Sequence, residues 1–208
     1  MDVAELILSY IKVLIWPTLL IIVLTCYRRQ VGDLITRTRS LDTPAGTIEF
    51  VEHAGELLDE AAKEKSISLT ASDRHGVMRR LEHAAKILEG GKILWVDDHP
   101  RGNLSLISLF RTSGMEVDTV KSSKDALEKL RVMSYDILLT DLQRGSDSNA
   151  GNFLLQELVR LDLKVPAVVY SRTSRIVQGV DPRAFAVTAS PDEVVHYVID
   201  LMERIVFS

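Results

Sequence analysis

The stretch from Lys92 to Pro100 (KILWVDDHP) constrains the fold of this chain more than any other part of the sequence. Its apolar residues, 93–96, run without a break into two adjacent carboxylates, Asp97 and Asp98. An apolar run without alternating polar positions is typical of a strand that is covered on both faces, as in a parallel sheet. Ligands bind outside the carboxyl ends of the strands in an open parallel sheet, so we expect the two acids to lie at a binding site.

From Lys92 onwards, segments with the pattern of a strand alternate with segments with the pattern of a helix. The predicted strands are residues 92–98, 116–120, 135–141, 167–171 and 185–190, and the predicted helices are residues 103–113, 124–133, 152–161 and 192–206, with a short further helix at about 173–178. This alternation predicts βαβ units with right-handed crossovers, and therefore a parallel sheet flanked by helices.

Polar residues follow most of the predicted strands. Asp97 and Asp98 end the first strand, Asp141 the third, Ser171 the fourth and Ser190 the fifth. The carboxyl ends of these strands lie at one edge of the sheet, so their oxygen-bearing side chains should meet there. Carboxylates suit a hard cation, which makes Asp97, Asp98 and Asp141 a candidate Mg²⁺ site. Asp141 can then act as a nucleophile toward a phosphoryl group, with the Ser171 hydroxyl hydrogen-bonded to one phosphoryl oxygen.

The stretch from Ile93 to Ile205 resembles the receiver domain of two-component response regulators. The resemblance lies in the order of the elements: an apolar strand with two acids, a later strand that ends in Asp, one that ends in Ser, and one that is followed by Pro. It implies a flavodoxin-like, doubly wound parallel α/β sheet of five strands in the order 2-1-3-4-5. It also implies that Asp97 and Asp98 are the acidic pair that holds Mg²⁺. Asp141 matches the phosphoacceptor and Ser171 the switch hydroxyl.

The sequence departs from the receiver pattern on the side of the fifth strand. Receivers carry a lysine before the proline that follows this strand, and Ser190 occupies that position. Arg172 and Arg175 in the preceding loop are candidates for a replacement cation. Val187 takes the position of the aromatic switch residue, and the polar loop of residues 143–152 is long enough to lie over the site.

Two other families with nucleotide or phosphate chemistry fit less well. A haloacid-dehalogenase-like phosphatase needs a second acid two residues after its nucleophile, and that position is Gln143. A dinucleotide-binding fold needs a Gly-rich loop after the first strand, and this sequence has none there. We therefore expect no dedicated enzymatic domain and no organic cofactor.

The N-terminal region contains an uncharged apolar run, residues 13–27, which ends at Arg28 and Arg29. With residues 6–12 added, the segment would form a helix of roughly 33 Å, enough to span the hydrocarbon core of a membrane. A signal peptide is disfavoured, because acidic residues precede the run and no small-residue cleavage site follows it. The positive-inside rule then predicts a single-pass anchor, residues 1–29, in a bacterial inner membrane, with the N-terminus outside and the rest of the chain in the cytoplasm.

Between the anchor and the receiver-like domain, residues 91–208, we predict a juxtamembrane linker at residues 30–47 and a helical segment at residues 48–90. The segment contains two amphipathic helices, residues 48–65 and about 70–89, with narrow apolar stripes. Such helices must pack on each other, on the following domain or on a second copy of the chain. A homo-oligomer is therefore one hypothesis.

Composition and charge limit the class of function. A formal net charge of −4 at pH 7 gives no sign of nucleic-acid binding, and the single cysteine, Cys26, excludes an intramolecular disulfide framework. Three histidines of the helical segment, His53, His75 and His83, do not lie in a phosphotransfer motif, so we expect them to be solvated.

Two functional hypotheses follow. In the first, the protein is a membrane-anchored adaptor whose receiver-like domain binds an unidentified protein partner without phosphorylation. In the second, it is a Mg²⁺-dependent receiver, switched when a histidine kinase of a two-component phosphorelay phosphorylates Asp141. Retention of the three acids and Ser171 favours the second hypothesis, whereas Ser190 and Val187 favour the first. No output domain follows the last predicted helix, so in both cases we expect the signal to leave by protein–protein contact.

Overall fold

The computed structural model describes residues 44–172 and 179–208. The predicted anchor, most of the predicted linker and the short helix predicted at about 173–178 lie outside these ranges. Within them, no helix is both long and apolar enough to cross a membrane.

The described ranges hold a parallel sheet and six α-helices. The strands are β1 (Lys92–Val96), β2 (Glu116–Val120), β3 (Ile137–Thr140), β4 (Ala167–Tyr170) and β5 (Ala186–Thr188). The helices are α1 (Pro44–Lys65), α2 (Ala71–Leu88), α3 (Leu104–Thr112), α4 (Ser123–Val132), α5 (Ala150–Arg160) and α6 (Pro191–Phe207), and a 3₁₀ turn at Pro100–Asn103 precedes α3. All neighbouring strands are parallel and their order is β2-β1-β3-β4-β5. This confirms the predicted flavodoxin-like sheet.

Strand β1 lies inside the sheet, between β2 and β3, and is buried on both faces as its apolar run predicts. On one face, the Trp95 ring packs between Phe110 of α3 and Tyr170 of β4, with ring centres 6.4 Å and 6.1 Å away. On the other face, Leu94 belongs to a cluster that includes Leu154 of α5. Alternate residues of a strand point to opposite faces, so an unbroken apolar strand serves both layers.

Several elements begin or end at other residues than predicted. Strand β1 ends at Val96 rather than at residue 98, because the Asp97 carboxylate accepts a hydrogen bond from the backbone N–H of His99 and turns the chain. Strand β5 is shorter than predicted, because the Thr188 hydroxyl accepts the N–H of Ser190 and the chain turns into α6. Helix α1 begins at Pro44 rather than at residue 48. Proline is tolerated in a first helical turn, where its missing N–H has no intrahelical partner to lose.

Helices α1 and α2 pack on each other and on the sheet domain, α1 against α3 and α2 against α6. Their predicted apolar stripes are buried, including Ala54, Leu58 and Ala61 of α1 and Val77, Leu81, Ala84 and Leu88 of α2. A capping box begins α2, with mutual hydrogen bonds between Thr70 and Asp73. These apolar residues are covered by packing within a single chain, so they supply no argument for a homo-oligomer. The three histidines, His53, His75 and His83, are exposed, as predicted.

Candidate functional site

The ends of β1, β3 and β4 lie side by side, because Val96 pairs with Thr140 and Thr140 pairs with Val169. Asp141 follows β3 and Ser171 follows β4. The Ser171 hydroxyl donates a hydrogen bond to Oδ1 of Asp141 over 2.5 Å. The structure thus brings together the predicted phosphoacceptor and the predicted switch hydroxyl at the expected edge of the sheet.

Asp97 is the more buried member of the acidic pair, with 6% of its surface exposed. Its Oδ1 accepts the N–H of His99 at 2.7 Å, and its Oδ2 accepts the Nδ2 amide of Asn103 at 2.6 Å. Asn103 is itself buried, and its Oδ1 has no hydrogen-bond partner among the described residues. The 3₁₀ turn after β1 therefore adds an amide to the site that the sequence pattern did not single out.

Asp98 is the partly exposed member of the pair. Its Oδ2 accepts the N–H of Gly145 at 2.7 Å, and its Oδ1 lies 3.1 Å from Nδ1 of His99. Burial raises the pKa of Asp98, but the hydrogen bonds from Gly145 and His99 outweigh it, so the pKa lies below its ordinary value. Gly145 belongs to the polar loop of residues 143–152, which reaches the site as predicted.

The acidic pair has the donor set of a hard-cation site. Asp97, Asp98 and His99 each offer a ligand atom within 4.8 Å of the others, whereas Asp141, the third predicted metal ligand, is not part of this group. Each carboxylate oxygen has a second lone pair beyond the hydrogen bond that it accepts. Two carboxylates with spare acceptor capacity suit Mg²⁺, which keeps several of its waters. The residues present therefore fit the ion that the receiver resemblance implies.

Arg144 belongs to the polar loop of residues 143–152 but is buried, with 7% of its surface exposed. Its guanidinium donates to Oγ1 of Thr140 at 2.7 Å, to the carbonyl of Asp141 at 3.0 Å, and to the Ser123 hydroxyl and the Ala150 carbonyl at 2.6 Å each. Burial lowers the pKa of Arg144, and the charges of Asp141 and the acidic pair partly offset this. The guanidinium thus joins β3 to the starts of α4 and α5.

A second cation reaches the site from outside the sheet domain. Lys65 is the last residue of α1, and its Nζ lies 4.7 Å from the centre of the Tyr170 ring, next to Ser171. Burial lowers the pKa of Lys65, while the charges of Asp97 and Asp141 raise it and that of Arg172 lowers it. The sequence pointed to such a residue only indirectly. Since position 190 is serine rather than lysine, a cation is expected from elsewhere in the chain, but the pattern does not identify which residue supplies it.

Residues on the β5 side serve local structure. Ser190 is the N-cap residue of α6, and its hydroxyl hydrogen-bonds the Asp192 carboxylate. Val187 lies in β5 and is partly buried. Of the two arginines considered as replacement cations, Arg172 is exposed and close enough for its charge to act on Lys65, whereas Arg175 lies outside the described residues.

Comparisons with known proteins agree with this architecture. The family model described as the response regulator receiver domain matches residues 93–187. The autoinducer 2 sensor kinase/phosphatase LuxQ of Vibrio harveyi is 29% identical over 114 residues, which are 52% of this chain and 13% of that protein. The chain therefore corresponds to only a small part of this relative.

Two response regulator proteins are among the solved structures to which the chain is similar. One is the response regulator TrrA of Thermotoga maritima in complex with Mg²⁺ and BeF, which is 22% identical, with a TM-score of 0.47 and coverage of 53% of this chain and 98% of that one. The other is a CheY-like receiver domain protein of Methanospirillum hungatei, which is 18% identical, with a TM-score of 0.46 and coverage of 56% and 98%.

Proposed function

Because residues 93–187 match the family model of the response regulator receiver domain, we propose that this protein is a signalling module whose Asp141 accepts a phosphoryl group in a two-component relay. The observation that carries the proposal is the hydrogen bond from the Ser171 hydroxyl to the Asp141 carboxylate. It sets a potential nucleophile beside a donor that can bind a phosphoryl oxygen. Asp97 and Asp98 on the neighbouring strand end supply the acidic pair.

The proposed transfer forms one bond and breaks one. A carboxylate oxygen of Asp141 attacks phosphorus, and the P–N bond of a phosphohistidine or the P–O bond of an acyl phosphate breaks, with the bonding electrons leaving on the donor. The Ser171 hydroxyl then donates its hydrogen bond to a phosphoryl oxygen. Asp97 and Asp98 would hold Mg²⁺, whose charge, when it is bound, offsets the negative charge of the phosphoryl oxygens.

The proposed donor is a histidine kinase, the kind of protein with which receiver domains exchange phosphoryl groups. A sensor kinase/phosphatase among the relatives supports this proposal, although the match spans only 13% of that protein. The partner that receives the signal is proposed to be another protein, bound through contacts of the receiver domain or of α1 and α2.

Membrane attachment is part of the proposal and rests on the sequence of residues 1–29. The apolar run and the following Arg28 and Arg29 support a single-pass anchor with the receiver domain in the cytoplasm. A reporter active only in the cytoplasm, fused after Ser208, is expected to be active. Activity of a reporter that works only outside the membrane would overturn this orientation.

A phosphorylation-independent adaptor is the second candidate function. Two observations favour it: Ser190, at the N-cap position of α6, stands where receivers carry a lysine, and Val187 lies where receivers carry an aromatic residue. The two candidates differ in what Asp141 must do. The adaptor would keep its cellular activity in an Asp141→Asn variant, whereas the phosphorylated receiver would lose it.

The test uses the full chain in detergent micelles with Mg²⁺ and acetyl phosphate. Intact-mass spectrometry is expected to show one added phosphoryl group on the wild type and none on Asp141→Asn. Asp147→Asn is the matched control, because Asp147 is an exposed acid of the loop beside the site, and it should be modified like the wild type. No modification of the wild type, or equal modification of Asp141→Asn, would overturn the proposal.

A further inference from the structure

We propose that the ammonium group of Lys65, carried by helix α1, binds the phosphoryl group on Asp141, so that phosphorylation is sensed by α1. The inference rests on the proposed function, because it assigns a second binding partner to the same phosphoryl group. It places the cation of the site on a helix that precedes the receiver domain, rather than on the segment after β5.

The end of α1 is fixed by backbone hydrogen bonds. The N–H of Ile67 bonds the carbonyl of Ala62 at 2.8 Å, and the N–H of Ser66 bonds the carbonyl of Lys63 at 3.0 Å. Ser66 has a φ of 58°, the left-handed conformation that closes this type of helix end. Lys65 is therefore the last helical residue, and its backbone position is defined.

Packing holds this helix end on the sheet domain. Ala61 and Ala62 are buried, and the Ser105 hydroxyl of α3 donates a hydrogen bond to Glu64 at 2.8 Å. The Lys65 ammonium lies over the ring of Tyr170, 4.7 Å from its centre, and Tyr170 directly precedes Ser171. The ammonium is also close enough to Asp141, which Ser171 contacts, for the two charges to interact.

Charge gives this placement a function. A half-buried ammonium is costly without a nearby anion, and Asp97 and Asp141 are the carboxylates whose charges act most strongly on Lys65. Phosphorylation adds negative charge at Asp141, so attraction to Lys65 increases. A charge-assisted hydrogen bond between ammonium and phosphoryl oxygen would tighten the last turn of α1 against the sheet.

The position at which receivers carry their lysine, on the β5 side of the site, is occupied here by Ser190. Ser190 occupies the N-cap position of α6, and its hydroxyl donates a hydrogen bond to the Asp192 carboxylate. Its short hydroxyl side chain cannot extend as a lysine does. Lys65 supplies a long cationic side chain from another element, the C-terminal end of helix α1.

The experiment uses the full chain in detergent micelles, with Trp16→Phe as background so that Trp95 is the one remaining tryptophan. Beryllofluoride with Mg²⁺ serves as the probe for the phosphoryl group, and Trp95 fluorescence reports its binding. Lys65→Met keeps the apolar stem over Tyr170 but removes the charge, and Lys65→Arg keeps the charge. Lys63→Met is the matched control, because Lys63 lies in the same last turn and is exposed.

We expect Lys65→Met to weaken beryllofluoride binding by about ten- to a hundredfold, as for loss of a hydrogen bond to a charged group. Lys65→Arg should retain most of the affinity, and Lys63→Met should bind like the wild type. Hydrogen exchange should show that beryllofluoride protects the last turn of α1 in the wild type and in Lys63→Met, but not in Lys65→Met. Thermal melts without the probe establish that each variant is folded.

The outcomes separate this inference from the proposed function. If the wild type binds beryllofluoride and accepts a phosphoryl group, but Lys65→Met does the same with equal affinity, the role of Lys65 is wrong and the receiver function stands. An equal loss in Lys63→Met would also overturn the inference, since it would reveal a general effect of charge. If the wild type neither binds beryllofluoride nor becomes phosphorylated, the proposed function fails and this inference with it.

Discussion

The hydroxyl of Ser171 lies 2.5 Å from Oδ1 of Asp141 and joins the carboxyl ends of β3 and β4. The two residues are thirty positions apart in the chain, yet they meet because both follow parallel strands that are neighbours in the sheet. The bond orients one oxygen of Asp141 and leaves the hydroxyl in position to contact a group that is attached there.

Replacement of this hydroxyl should slow phosphoryl transfer. We expect Ser171→Ala to lower the initial rate of phosphoryl uptake from acetyl phosphate about tenfold, because one hydrogen bond to a charged group is lost. Ser171→Thr keeps the hydroxyl and should retain most of the rate. The rate is measured by intact-mass spectrometry, with Ser113→Ala, a buried serine of the α3 C-cap, as the control. A rate for Ser171→Ala equal to that of the control would contradict this role.

Removal of the Arg144 guanidinium should destabilise the fold. Arg144→Met removes the buried hydrogen bonds that the guanidinium donates to the Thr140 hydroxyl and to the Ala150 carbonyl, whose other side-chain donor is the Ser123 hydroxyl at 3.3 Å. We expect a loss of about 3 kcal/mol in the free energy of unfolding, because several buried hydrogen bonds to a charged group are lost together. Arg144→Lys should also be destabilising, because one ammonium cannot reproduce a planar fork of donors.

Urea unfolding measures this effect, and Arg131→Met provides the control. Arg131 is exposed near the end of α4, so its replacement should change stability by less than about 0.5 kcal/mol. Equal losses in the two variants would show that the buried hydrogen bonds of Arg144 contribute nothing specific.

The sheet and one half of the site could be predicted because they depend on local patterns. An unbroken apolar strand can be recognised from consecutive residues. Parallel strands place their carboxyl ends at one edge of the sheet, independent of the length and conformation of the connecting loops. That rule alone brought Asp97, Asp98, Asp141 and Ser171 to the same edge. The ends of β1 and β5 were less predictable, because side-chain bonds of Asp97 and Thr188 turn the chain early.

The cations of the site could not be predicted in the same way. Lys65 reaches the site only because α1 packs against α3, and this packing depends on contacts between segments far apart in sequence. Arg144 lies in a polar loop, and its neighbours in sequence are those of a solvated residue. In the fold it is buried, and its guanidinium donates to four acceptors from other parts of the chain and from its own loop. Tertiary packing, rather than any motif, determines where both charges lie.

Gly151 should not tolerate a side chain. A Cβ at this position would lie 2.7 Å from the carbonyl oxygen of Asp141 and 2.8 Å from Cα of Leu142, both backbone atoms that cannot rotate away. We expect Gly151→Ala to cost about 1–3 kcal/mol of stability and to slow phosphoryl uptake at Asp141. Gly76→Ala is the matched control, since a Cβ there meets nothing within 4 Å, and it should stabilise α2 by about 0.5–1 kcal/mol. Urea unfolding of both variants tests the opposite signs.

The interface of α2 and α6 should weaken in acid because of His196. Nδ1 of this half-buried histidine lies 3.4 Å from Nη1 of Arg80. Burial lowers the pKa of His196 below its ordinary value of 6.5, and the charge of Arg80 lowers it further, against the opposing charges of Asp192, Asp200 and Glu193. Well above pH 6.5, its ordinary pKa, the histidine is neutral in both the folded and the unfolded chain.

As the pH falls below that value, the unfolded chain binds a proton that the folded chain resists, so stability decreases. His196→Gln should therefore lose less stability than the wild type between pH 7 and pH 5, with urea unfolding at each pH as the measurement. Other groups titrate in both proteins, so the difference between the two pH profiles isolates His196. His75→Gln, at an exposed position of α2, should keep the wild-type profile. If His196→Gln also keeps that profile, then protonation of His196 does not weaken the contact between α2 and α6.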